Sequence, residues 1–378
     1  MSHAANSTSK LAGPTPVLAN VSPPTAPVPP RKPSIGVEVG GRWIKAAQPT
    51  GSGLRPGWRF ARVERPFTPG PRAFAPTQAD LDRLIIALAA GGFEGSQLVL
   101  AAPSAALLSQ SLELPPRSSG APIDALAVAE LARSFRLEVG SLEAAVWDTP
   151  GGGRASISSV LVVGLEHAAA TDFLAPFANA AFRPIAIDVA SAALARLPQG
   201  PETGVDGHTG AAQAFVDLGW DDTVLTIVVN GLPIYQRRLD DGGLSTAYAD
   251  IIARESVTQA AVDAVLLPAS SGDPESEVIR AMLLARWRGS MSRIIEPVAI
   301  ELDRSLTYAS HRFPSTPTIL VGLCGDGALL PGLSERLQAK LPCVHFGVVA
   351  DPVFAVAKGL SMWSRALCQQ TPSSREAA

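Results

Sequence analysis

Two stretches of this chain open in the same way. Ile35-Gly-Val-Glu-Val39 is an alternating run that meets Gly40-Gly41 and returns at once as Trp43–Gln48. Ala214–Leu218 meets Gly219–Asp222, returns as Thr223–Val229, turns at Asn230-Gly231 and comes back as Leu232–Leu239. Period-two alternation closed by glycine predicts strands joined by tight turns. Asn-Gly between two such runs is a strong hairpin signal. A chain of 378 residues is too long for one small core. The repeated opening therefore predicts a duplicated architecture, two α/β lobes that each begin with a β-meander.

The remaining pattern is consistent with that plan. Gln78–Ala90 has helical spacing in Leu81, Leu84, Ile85 and Leu88 and stops at Gly91-Gly92. Gln97–Ala102, Leu107–Leu114, Ala155–Leu165 and Pro184–Val189 contain strands; Ile123–Phe135, Ala168–Ala180 and Ala190–Leu197 read as helices. The second half adds helices at Leu244–Ala253, Glu275–Arg288 and Ser290–Ala309. The strand Thr318–Cys324, the helix Leu333–Leu341, the short strand Val344–Phe346 and a last helix from Pro352 to about Ala366 complete it. Residues 1–33 are rich in Pro, Ser, Thr and Ala and are expected to form a disordered tail. The first lobe is expected at 34–197, a Gly/Pro-rich linker at 198–212, the second lobe with its C-terminal helix at 213–368, and a polar tail at 369–378.

Charge and hydropathy narrow the class. With 47% hydrophobic and 17% charged residues the chain suits a well-buried globular protein, and a net charge of −3 gives no basic field for nucleic acid. The longest apolar runs, such as Leu81–Ala90 and Thr318–Cys324, fall short of a membrane span, so no direct membrane insertion is expected. No apolar secretory region follows the N-terminus, and Cys324, Cys343 and Cys368 lack CxxC spacing, which predicts a cytoplasmic protein with reduced thiols. The histidines show no ligand spacing, and Ser104 lies outside any G-x-S-x-G elbow.

Chemistry concentrates in three glycine turns that follow strands. They are Glu38-Val-Gly40-Gly41-Arg-Trp-Ile-Lys45, Asp217-Leu-Gly219-Trp-Asp-Asp-Thr223 and Gly322-Leu-Cys-Gly325-Asp-Gly327. A glycine after a strand lets backbone N–H groups approach phosphate oxygens. Glu38 and Asp217, at strand ends, can hold Mg2+ through water beside a polyphosphate. Each turn alone is weak evidence; three in this order are more specific.

In that order the turns resemble the phosphate-1, phosphate-2 and adenosine motifs of the actin/Hsp70/sugar-kinase superfamily. Within it the sequence resembles the PilM family of type IV pilus assembly proteins. The resemblance runs from Ile35–Lys45 through Ala101-Ala-Pro-Ser104, Leu112–Pro115, Pro184–Val189, Ala214–Asn230, Pro233–Leu239, Gly242-Gly243, Arg293–Ala309 and Thr318–Leu333 to Asp351–Leu360. It covers roughly residues 34–366. It implies an actin-like (ribonuclease H-like, duplicated) two-lobed α/β fold, with a small subdomain inserted at about 97–185. It implies ATP with Mg2+ between the lobes: Glu38, Gly40, Gly41, Arg42, Lys45, Asp217, Gly219 and Thr223 on the phosphates, and Gly243, Gly325 and Gly327 on the adenosine side. The implied partner is the N-terminal cytoplasmic peptide of a single-span inner-membrane platform protein, which would hold the chain at the membrane periphery; self-association is a further expectation.

Departures from the family pattern keep alternatives open. Trp220, Asp221 and Asp222 stand where small or hydroxyl residues are usual, and Asp326 stands where glycine is usual. Extra carboxylates repel a triphosphate unless a metal lies between them. Any enzymatic activity is at most a weak ATPase, and a scaffold that binds no nucleotide is the alternative. A sugar or acid kinase of the same fold needs a general base on the first lobe, and no Asp occurs between Asp82 and Asp124. A cell-division actin homologue needs a basic amphipathic terminal helix, whereas the last helix carries only Lys358 and Arg365.

Overall fold

The computed structural model describes residues 33–51, 57–66, 74–149, 157–197, 212–239, 242–267, 274–313 and 318–363. All of the expected N-terminal tail but Pro33, all of the linker but Ala212, and the C-terminal polar tail lie outside the described residues. Strands β1 (Ile35–Val39), β2 (Trp43–Thr50) and β3 (Gly57–Glu64) form an antiparallel meander. Strands β4 (Gln97–Ala101) and β8 (Arg183–Asp188) extend it in parallel, giving the order β3-β2-β1-β4-β8. The second half repeats this plan. Strands β9 (Ala212–Leu218), β10 (Thr223–Val229) and β11 (Leu232–Leu239) form the meander, and β12 (Thr318–Cys324) and β13 (His345–Val348) add in parallel. The order is β11-β10-β9-β12-β13. The expected duplication is present strand for strand.

The inserted subdomain is narrower than 97–185. Its sheet is β5 (Leu107–Leu114), β7 (Ser158–Glu166) and β6 (Leu142–Asp148), covered by helix α2 (Ile123–Phe135). β4 and β8 lie inside the expected limits but are hydrogen-bonded into the first lobe's sheet. Helix α3 (His167–Leu174) returns to that lobe too, burying Phe173 and the neighbouring Phe177 beside helix α1 (Gln78–Ala90).

Two short helices lie between the sheets. Helix α4 (Ala190–Ala195) and helix α10 (Ala355–Ser361) share a core with Val99 and Ala101 of the first lobe and Phe215, Val228 and Cys324 of the second. The sequence assigns α10 to the second lobe, yet it packs on β1, β2 and β4. Glycines permit that approach. A Cβ at Gly36 would collide with the Ala357 carbonyl, and one at Gly359 with the Ala193 carbonyl. The second lobe's own core lies under α5 (Leu244–Glu255), α6 (Gln259–Leu266), α7 (Pro274–Arg286), the 25-residue α8 (Arg288–Arg312) and α9 (Leu333–Lys340). The sequence reading assigned no element to β3, β6 or α6.

Candidate functional site

The three glycine turns meet between the lobes, at the carboxyl ends of β1, β9 and β12, where ligands of α/β sheets characteristically sit. A cavity of about 300 Å³ opens there. Of the residues expected at a phosphate chain, Glu38, Gly40, Gly41, Asp217 and Gly219 line it, while Arg42, Lys45 and Thr223 do not. Thr223 is buried, and its Oγ1 donates to the Gly242 carbonyl at 2.8 Å. Of the adenosine-side glycines, Gly243 is pressed against the Trp220–Asp221 backbone, Gly327 against Leu218, and Gly325 against Asp217 and Leu218. None of the three lines the cavity; Asp326, between the last two, does.

Arg42 and Lys45 are turned to protein carboxylates. Arg42 leaves the β1–β2 turn and makes a two-pronged pair with Asp263 on α6, Nη1 to Oδ1 2.8 Å and Nη2 to Oδ2 2.6 Å. It also reaches Glu64 of β3 at 2.9 and 3.1 Å. Its guanidinium carbon lies 4.7, 4.8 and 5.4 Å from the ring centres of Trp43, Trp220 and Tyr248, a cation–π box that suits a planar, weakly hydrated ion. Lys45, paired across the hairpin with Glu38, is 1% exposed. Its Nζ lies 2.6 Å from Glu38 Oε1 and 3.4 Å from Asp326 Oδ2. Arg62 of β3 donates to the other Asp326 oxygen at 3.1 Å and stacks 3.8 Å from the Trp43 ring centre. Glu64, Arg62, Tyr248 and Asp263 were not singled out from sequence. Asp263 lies inside a short apolar run, and nothing local marks it as an ion partner.

The other turn residues are also engaged. Asp222 was expected to repel a phosphate, but its Oδ2 accepts from Ser104 and from Arg238 Nε, both at 2.7 Å. Arg65 donates to the Gly40 carbonyl at 2.8 Å and to Asp80 at 3.2 Å; Asp80 in turn closes the capping box of α1 with Thr77. Burial raises the Glu38 carboxyl, opposed by Lys45 and reinforced by Asp326. Burial, then repulsion from Glu38, pushes Asp217 up to about 7. Burial works against the charge on Arg42, but the bonds to Asp263 and Glu64 outweigh it and raise its pKa.

These residues do not fit a magnesium-bound triphosphate. The glycine N–H groups that would approach phosphate oxygens are spent internally: Gly40 donates to Trp43, Gly219 to Asp222 and Gly325 to Pro352, each at 2.9 Å. Five carboxylates line the cavity (Glu38, Asp217, Asp221, Asp222, Asp326) against two guanidiniums, Arg65 and Arg238, and the cations nearest a phosphate position, Lys45, Arg62 and Arg238, are already paired with Glu38, Asp326 and Asp222. Among the described residues, no group of three or more His, Cys, Asp or Glu is placed to hold a metal ion.

No protein-family model matches the sequence, and no curated protein matches it. Solved structures do match. The PilM–PilN type IV pilus biogenesis complex contains a chain similar to this one at 20% identity and TM-score 0.68, covering 89% of this chain and 99% of that one. The ethanolamine utilization protein EutJ from Carboxydothermus hydrogenoformans matches at 13% identity and TM-score 0.45, covering 89% and 91%. MreB5 of Spiroplasma citri bound to ADP matches at 14% identity and TM-score 0.44, covering 89% and 97%. The fold of this chain is therefore like that of the PilM chain, the actin-like two-lobed fold.

Proposed function

We propose that this protein is an actin-like scaffold in the assembly platform of a type IV pilus or a related secretion system. It works at the inner face of the membrane by taking up the short cytoplasmic peptide of a single-span partner. The observation that carries the reading is the fold likeness to PilM in its complex with PilN, which spans 99% of the PilM chain. The acid-lined cleft, whose turn glycines donate to the protein's own carbonyls, favours the scaffold form of this role over one driven by ATP and Mg2+. No helix among the described residues is long and apolar enough to cross a membrane, so attachment would come from the partner. Fractionating cells with and without that partner tests this: the protein is expected in the membrane fraction only when the partner is present. Membrane retention in cells lacking the partner would contradict the reading.

A further inference from the structure

We infer that this chain locks its own lobes with an ionic clamp, in which Asp263 and Asp326 of the second lobe grip Arg42, Lys45 and Arg62 of the first in place of a bridging polyphosphate. Across the cleft, first-lobe cations meet second-lobe carboxylates, while Arg42 and Lys45 also meet Glu64 and Glu38 of their own lobe. The three cations come from one hairpin face of the first lobe, the β1–β2 turn, β2 and β3. The two carboxylates come from α6 and from the turn after β12. Contacts at 2.6, 2.8, 3.1 and 3.4 Å cross the cleft. Arg42 is 4% exposed and Lys45 1%, so salt screens them little, and each keeps a first-lobe carboxylate, Glu64 and Glu38 respectively, when its second-lobe partner is removed.

A second observation agrees with the first. Trp220, which replaces a small residue in the middle turn, is buried, stacks edge-on with Tyr248 at 4.7 Å, and forms one wall of the box around Arg42. Asp326 likewise serves both Lys45 and Arg62. Two of the four residues that depart from the nucleotide-binding pattern, Trp220 and Asp326, thus take part in the clamp. The clamp does not rest on the pilus reading and can fail or hold without it.

Electron–electron distance measurement tests it directly. Spin labels go on Ile86→Cys of α1 and Met282→Cys of α7, both 68% exposed, with Cys343 and Cys368 changed to Ser. The clamped protein is expected to give one distance that millimolar Mg-ATP leaves unchanged. Asp263→Asn with Asp326→Asn, checked for cooperative unfolding, is expected to lose that single distance and show a longer population. Should the double variant not fold, Asp326→Asn alone, which leaves Lys45 on Glu38 and Arg42 on Asp263, is expected to show a smaller longer-distance population, and a distance that stays single in it also overturns the proposal. A distance that shifts on adding Mg-ATP to the clamped protein, or one that stays single in a folded unclamped variant, overturns the proposal.

Discussion

At pH 8 the Asp217 carboxylate carries its charge in a cleft it shares with Glu38, Asp222 and Asp326, and burial pushes its pKa from 3.8 up to about 7. The sign follows from proton linkage. A carboxyl whose folded pKa is raised binds its proton more tightly in the folded state, so stability falls as pH climbs from about 4 to about 7. At roughly 1.4 kcal/mol per unit the ceiling is about 4 kcal/mol, and sharing with Glu38 lowers it. Asp217→Asn is therefore expected to melt higher than the parent at pH 8, with the gap closing towards pH 5. Parallel melting curves across that range would contradict it. Glu38 and Asp217 stood out in the sequence because each sits near a strand end before a glycine turn, and both line the cavity; Lys45, expected on phosphate, instead pairs with Glu38 and Asp326. The use of Arg42 was not legible, because Asp263 lies 221 positions away and only the tertiary fold brings them together.

Elements tell a similar story through their packing. Helices α4 and α10 cross so closely that the Ala193 carbonyl occupies the place of a Cβ on Gly359. Both partners are backbone, so neither can turn aside. Gly359→Ala is expected to cost about 3 kcal/mol, read as a lower urea midpoint at unchanged slope. Gly140→Ala, with open space around the new methyl group, is expected to leave the midpoint nearly where it was. Equal midpoints for the two variants would contradict the crossing. Most elements were legible because period and glycine stops agree along β1, β2, β9, β10, β11 and α1. β6 was not: Leu142-Glu-Ala-Ala145 has helical propensity, and pairing with β7 overrides it. β3 hides its alternation among Arg59, Arg62 and Glu64, of which Arg62 meets Asp326, Glu64 meets Arg42 and Arg59 pairs with Glu94.

For the molecule as a whole, the two sheets share one strand order, with a helix pair between them and a cleft at their carboxyl ends. The sequence disclosed this architecture through the order of its turns more than through any one of them. It also pointed to the cleft as the place of interest. What it could not disclose was whether the cations there face a ligand or face the other lobe, since that is set by side-chain direction after folding. The proposed scaffold is held by its own charges, and its proposed work is to hold a membrane partner. The most direct measurement is the anisotropy of a labelled peptide, copied from the cytoplasmic N-terminus of a single-span pilus-platform protein of the same cell, titrated with the full chain. The account predicts saturable binding with the same Kd with and without millimolar Mg-ATP. No binding in either condition, or binding only when Mg-ATP is present, would contradict it.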